Sequence, residues 1–270
     1  MRSRMTRPGP AVPFSCVLVA VVLLGRPVPA FPQAAAQAAP PSSASEALPA
    51  ARAIIDRHVE AIGGRAAVLG HSSSHARGTL TIPANGMGGS LEMYGAKPNR
   101  SLLRITIAGI GDVLEGFDGK TGWSLSPMTG PMLSEGRTLE EKTFDSDFYN
   151  ELRESSRYES ITTVEKTTFD GRLCYKVSLK RKGGGEDIEF YDVATGLKAG
   201  STATRETPMG PITSSQTLGD YKKFGDLLQP TLMKISAMGV EQVFTITSVE
   251  YDKVDPSVFE LPAQVKALIK

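Results

Sequence analysis

Polar and apolar residues alternate along most of this chain after residue 75. The plainest stretch is 103–107, where Leu103, Ile105 and Ile107 face one way and Arg104 and Thr106 the other. That is the mark of a strand in a sheet with one apolar side. Segments of this kind, bounded by Gly, Pro or Asn, predict strands at 75–83, 89–96, 101–108, 112–117 and 123–126. The pattern resumes at 158–168, 173–181, 187–192, 197–207, 212–224, 232–237 and 243–251. Two connecting tips are written almost alike: Phe117-Asp118-Gly119-Lys120-Thr121-Gly122-Trp123 and Tyr191-Asp192-Val193-Ala194-Thr195-Gly196-Leu197. In each, Asp accepts hydrogen bonds from nearby amides, Thr-Gly supplies a position with φ > 0, and an apolar residue starts the return. Strands joined by such tips form an antiparallel meander.

Helical spacing occurs twice. Ile54, Ile55, Val59 and Ile62 predict a helix that Gly63-Gly64 stops, with a shorter turn at 65–69. Leu139, Phe148 and Leu152 predict a second helix over 138–155, with Thr138 and Glu141 as its capping pair. Glu140, Glu141, Asp145 and Asp147 fall on the solvated face of that helix. A meander of about eleven strands must curl, because strongly twisted open sheets rarely exceed about ten. The expected fold is therefore mainly β, a curved antiparallel incomplete β-barrel with helices covering the concave face.

The N-terminal pattern is different and concerns export. Arg2, Arg4 and Arg7 precede an apolar run at 14–24, and Val28-Pro29-Ala30 places small residues where a signal peptidase reads. The run falls well short of the roughly 20 residues that span a bilayer. Residues 1–30 are expected to be a cleaved signal peptide, which makes the protein periplasmic. Residues 31–50, rich in Ala, Pro, Ser and Gln, are an expected disordered linker, and 51–270 a single domain.

Without residues 1–30 the chain has 26 basic and 29 acidic side chains, which excludes the strong basic footprint of a nucleic-acid binder. One cysteine remains, Cys174, far in sequence from His58, His71 and His75. A half-buried strand thiol is the reading for it, and packing rather than ligation the reading for His58. Gly119-Lys120-Thr121 ends like a phosphate-binding loop, but Leu114 stands where the first glycine belongs. Lys180-Arg181-Lys182 followed by three glycines reads as a charged hairpin tip. No residue set for catalysis, metal or cofactor binding emerges. Met128, Met132 and Met209 lie in Pro/Gly loops, where loop filler, an adaptable mouth for a lipid chain and a Cu(I) site remain open readings.

Several turn signatures together resemble a known family. They are the helix ending in Gly63-Gly64, the turn at 83–89, Gly95-Ala96-Lys97-Pro98-Asn99-Arg100, and Glu115-Gly116-Phe117-Asp118-Gly119 with Trp123 following. Further on come Phe190-Tyr191-Asp192, the turn at 221–230, and Asp255-Pro256-Ser257-Val258-Phe259-Glu260-Leu261-Pro262. The order is similar to that of the bacterial outer-membrane lipoprotein-sorting proteins related to LolA and LolB. The resemblance implies a non-enzymatic, monomeric lipid or lipoprotein carrier whose apolar cavity takes acyl chains. Leu103, Ile105, Ile107, Phe117, Trp123, Phe190, Phe244 and Ile246 are the candidate lining residues. The other reading is a cell-envelope scaffold that binds a protein partner through its sheet edge.

Overall fold

The computed structural model describes residues 47–207 and 210–269. The expected leader and most of the expected linker, like Met209, lie outside the described residues. Two helices open the described chain, α1 (Ala51–Ala61) and α2 (Arg65–Gly70). Six strands follow: β1 (Ser73–Ile82), β2 (Met87–Ala96), β3 (Arg100–Ile107), β4 (Gly111–Phe117), β5 (Gly122–Ser126) and β6 (Gly130–Leu133). After α3 (Gly136–Asp145) come β7 (Tyr158–Phe169), β8 (Arg172–Arg181), β9 (Glu186–Asp192), β10 (Lys198–Thr207), β11 (Gly210–Phe224), β12 (Leu227–Ala237) and β13 (Val240–Tyr251). A one-turn helix, α4 (Ala263–Lys266), lies near the C-terminus.

All thirteen strands form one sheet in the order β6-β5-β4-β3-β2-β1-β13-β12-β11-β10-β9-β8-β7, and every pairing is antiparallel. Two meanders thus meet at a central seam, where the first strand pairs with the last. The sheet does not close, leaving β6 and β7 as edges. Thirteen strands exceed the expected count of about eleven. The pattern missed β6, which has four residues, one of them Pro131. The twin tips form, with Asp118 accepting from the amides of Lys120 and Thr121 and Asp192 from that of Thr195. Only the second places its φ > 0 at the Thr-Gly glycine, Gly196; in the first that role falls to Gly119, and Gly122 already belongs to β5.

Directly paired residues share a face, so one face can be traced across the sheet. It runs Leu103, Met93, Ala76, Val249 through β3, β2, β1 and β13. Phe244 and Met233 extend it into β12, and Leu218, Gln216 and Ser201 into β11 and β10. Glu189, Val177 and Thr163 complete it. This is the concave face. Ile54 and Ile55 of α1 pack on Val177, Leu179 and Tyr191 of it, while Lys142 of α3 reaches Glu115 opposite Leu103.

The second predicted helix is shorter than expected. It starts at Gly136 with no side-chain cap and ends at Asp145, followed by 3-10 turns at Asn150–Leu152 and Ser155–Arg157. Asp147 breaks it by accepting from the Tyr149 amide, and Arg153 adopts φ 47°, a left-handed conformation that a continuing helix excludes. Its acids are not all solvated either: Glu141 is buried, and Asp145 points to the concave side.

Candidate functional site

Between α3, the 3-10 turns and the concave face lies a cavity of about 330 Å³. Residues of β3 and of β9 both line it. In a flat sheet these strands, seven positions apart in the order, would be separated by roughly 34 Å. Sharing one cavity therefore requires the strong curl expected from sequence. Two smaller cavities, about 270 and 200 Å³, adjoin the first at Met233 and extend toward Tyr251 and Tyr221 respectively. The three form a trough along the concave face.

The trough has two unlike walls. Met93, Leu103, Met233, Ile235 and Phe244 make the first, backed by the sealed side chains of Leu80, Leu91 and Ile105. The second carries charge. Arg153, in the turn after the first 3-10 element, donates to Glu189 of β9 from Nε at 3.1 Å and from an η nitrogen at 2.6 Å, and also bonds the Asn150 carbonyl. Lys198 of β10 lies 3.3 Å from Glu151 and 3.7 Å from Glu189. Tyr191 donates to Glu189 at 2.5 Å, and His58 of α1 meets Glu151 at 3.2 Å. A second quartet sits beside it. Arg181 donates to Asp187 twice, at 2.7 and 2.8 Å, Arg205 donates to Asp187 at 2.8 Å, and both arginines lie within 3.7 Å of Asp145.

These environments bias the protons. Burial would raise the Glu189 carboxyl, but the Arg153 and Lys198 cations outweigh it and bring its pKa to about 2. The same balance, led by Lys198, holds Glu151 well below the usual carboxylate range. In the second quartet burial dominates and pushes the Asp187 carboxyl up against the pull of Arg181. Burial also drives the Tyr191 hydroxyl well up, so it stays a hydrogen-bond donor to Glu189. None of these groups is placed as nucleophile and base. Among the described residues, no cluster of three or more His, Cys, Asp or Glu could hold a metal ion.

No family model matches the chain, and no curated protein matches it in sequence. Its shape does have counterparts among solved structures. A DUF1329 family protein from Desulfovibrio piger superposes with a TM-score of 0.55 over 79% of this chain and 98% of its own, at 15% identity. A LolA superfamily protein from Nitrosomonas europaea gives 0.53 over 79% and 99%, at 11% identity. The fold is LolA-like. At these identities the likeness is one of architecture, and no residue role transfers with it.

In the trough of this LolA-like fold the residues expected from sequence separate into three groups. Leu103 and Phe244 line the main cavity, and Ile246 the adjoining one. Ile105, Ile107 and Phe117 share the concave face and are buried like the lining residues, but they border none of the three cavities and pack as core. Trp123 and Phe190 lie on the opposite face. Trp123 pairs with Gly116, which pairs with Leu102, one residue out of step with Leu103. It is covered by Phe259 and by Val265 of α4. Phe190 pairs with Lys176 and Gly200 and stacks on Phe169 at 4.0 Å, beside a fully buried Cys174. The trough's methionines are Met93 of β2 and Met233 of β12; of those expected in loops, Met128 is exposed in the turn before β6 and Met132 belongs to β6 itself. Sequence reasoning missed the ionic wall altogether. Arg181, read as part of a solvated tip, is 3% exposed, because Asp187 and Asp145 hold it inward.

Proposed function

We propose that this chain is a periplasmic binding protein or carrier for a lipid acyl chain, exported by residues 1–30 and acting as the single domain 51–270. The observation that supports this reading is the continuous trough with one wholly apolar wall. A chain laid along Met93, Leu103, Met233, Ile235 and Phe244 would gain about 0.8 kcal/mol for each methylene buried. Met233 borders all three cavities, and its unbranched thioether can repack around guests of different shape. The main cavity is at the small end of the roughly 300–1,000 Å³ typical of ligand sites. A full-length chain would therefore use the adjoining cavities as well. Release would follow displacement of α3 and the 3-10 turns, which are held to the sheet by ion pairs together with the apolar contacts of Phe144 and Leu152.

The test pairs uptake with stability. Met233→Asp puts a carboxylate on the trough floor at a partly exposed site, so uptake of a fluorescent acyl probe should fall at least tenfold while the cooperative thermal melt survives. Native mass spectrometry of the purified protein should show a co-purified lipid. Absence of uptake by the wild type, or uptake that Met233→Asp leaves unchanged, overturns the reading. In that event the twelve-residue edge strand β7, with Val164 exposed, makes a protein partner added along that edge the better reading.

A further inference from the structure

The charges around the main cavity are already committed to one another. Arg153, Lys198, Arg181 and Arg205 face Glu151, Glu189, Asp145 and Asp187, four cations against four anions, with contacts of 2.6–3.7 Å. We propose that the trough selects a lipid whose head carries no net charge, one bearing hydroxyl, ester or amide groups, and rejects free carboxylates and phosphates. The inference rests on the carrier reading above and adds the class of ligand to it.

A carboxylate or phosphate entering this cavity would either displace Glu189 or Asp187 from its arginine or lie beside them as an extra anion. Either way a buried charge is left without a partner, and that is strongly unfavourable. The exchangeable hydrogen bonds of the cavity are neutral ones. Ser201 donates to the Gln216 side-chain oxygen at 3.4 Å, and the Gln216 amide donates to the Met233 thioether at 3.8 Å. Both are long, and sulfur is a weak acceptor. A ligand hydroxyl or carbonyl replaces them at little cost. Gln216 also sits at the junction of the main cavity with the one that reaches Tyr221, between the apolar wall and the charged one. That is the position of the boundary between an acyl chain and its head. Arg205 adds an independent sign. Its side chain lines the cavity, and its Nε, sealed from solvent 3.7 Å from Asp145, has no hydrogen-bond acceptor; a shift of the guanidinium would bring this donor to a neutral ligand carbonyl without disturbing the charge balance.

The experiment uses a fluorescent acyl chain presented as its glycerol monoester and displaced, at neutral pH, by unlabelled monoester or by the fatty acid of equal chain length. The monoester should displace it at a concentration at least tenfold lower than the fatty acid does. Gln216→Met should weaken the monoester severalfold and leave the fatty acid unaffected, with a thermal melt confirming that the variant folds. Equal or better displacement by the fatty acid overturns the proposal, as does a monoester affinity that Gln216→Met leaves unchanged. If wild-type protein takes up no labelled ester, the carrier reading falls and this one with it. If it takes up the ester but prefers the carboxylate, only the proposed head class is wrong.

Discussion

The two walls of the trough solve the same problem, a concave face turned in beneath α1, α3 and the 3-10 turns, by opposite means. On β1–β3 and β12–β13 the face is filled with Leu, Ile, Phe and Met, whose burial is favourable at each position independently. On β8–β10 the same face carries Arg181, Asp187, Glu189, Lys198 and Arg205, and their burial is tolerable only because they pair with one another and with Asp145, Glu151 and Arg153, which arrive from α3 and the turns after it. The apolar wall is therefore additive and forgiving in its parts, whereas the ionic wall is conditional. Loss of one member of the ionic wall strands another.

The sharpest way to break this contrast is to put the chemistry of one wall into the other. Ile105→Glu places a carboxylate where exposure is 0% and where no cation has been provided, so the domain should lose its cooperative melt altogether. A well-folded Ile105→Glu protein would mean that the apolar wall is as adaptable as the ionic one. The reciprocal change, Arg153→Met, should cost about 3–5 kcal/mol in urea unfolding, because it leaves Glu189 buried with Lys198 at 3.7 Å as its nearest remaining cation. Adding Glu189→Leu to that variant should recover much of the loss, and failure to recover would show that the arginine acts through shape rather than charge.

The smallest effect is one of pH. Glu189 has its pKa lowered to about 2 from an unfolded value near 4.5, so the folded state binds its proton less readily than the unfolded one. The stabilisation from Arg153 and Lys198 is present in full above about pH 4.5 and declines as pH falls from there toward 2. Stability measured across that window should drop in the wild type, and the drop should be shallower in the Arg153→Met/Glu189→Leu double variant. Equal slopes would place the acid sensitivity elsewhere.

The difference between the walls also explains what could be read in the sequence. Alternation located twelve of the strands and the apolar wall, since Leu103, Ile105 and Ile107 announce one face within five residues. On β9 the same rule misleads. Ile188 and Phe190 alternate with Asp187, Glu189 and Tyr191, and the apolar pair turns outward while the acids turn inward. Local pattern cannot anticipate this, because the partner that makes Glu189 acceptable lies 36 residues away, in a segment that breaks its own helix at Asp147. Trp123 illustrates the other limit. Its ring is conspicuous, but only the register with Gly116 fixes its face, and α4 supplies its cover from the far end of the chain.

The seam between β1 and β13 has a consequence for how the molecule is made. Synthesis delivers β1 early and β13 last of all the strands, so the pairing at the middle of the sheet is the final one that the emerging chain can complete. Until Val240–Tyr251 arrives, two half-sheets wait with bare edges at β1 and β12, open to pairing with the wrong neighbour. Nearly all other ladders are local hairpins that form quickly, and the seam closes a loop of more than 150 residues. Completion of the trough is thus a late event, in which the final strand joins two halves that already exist.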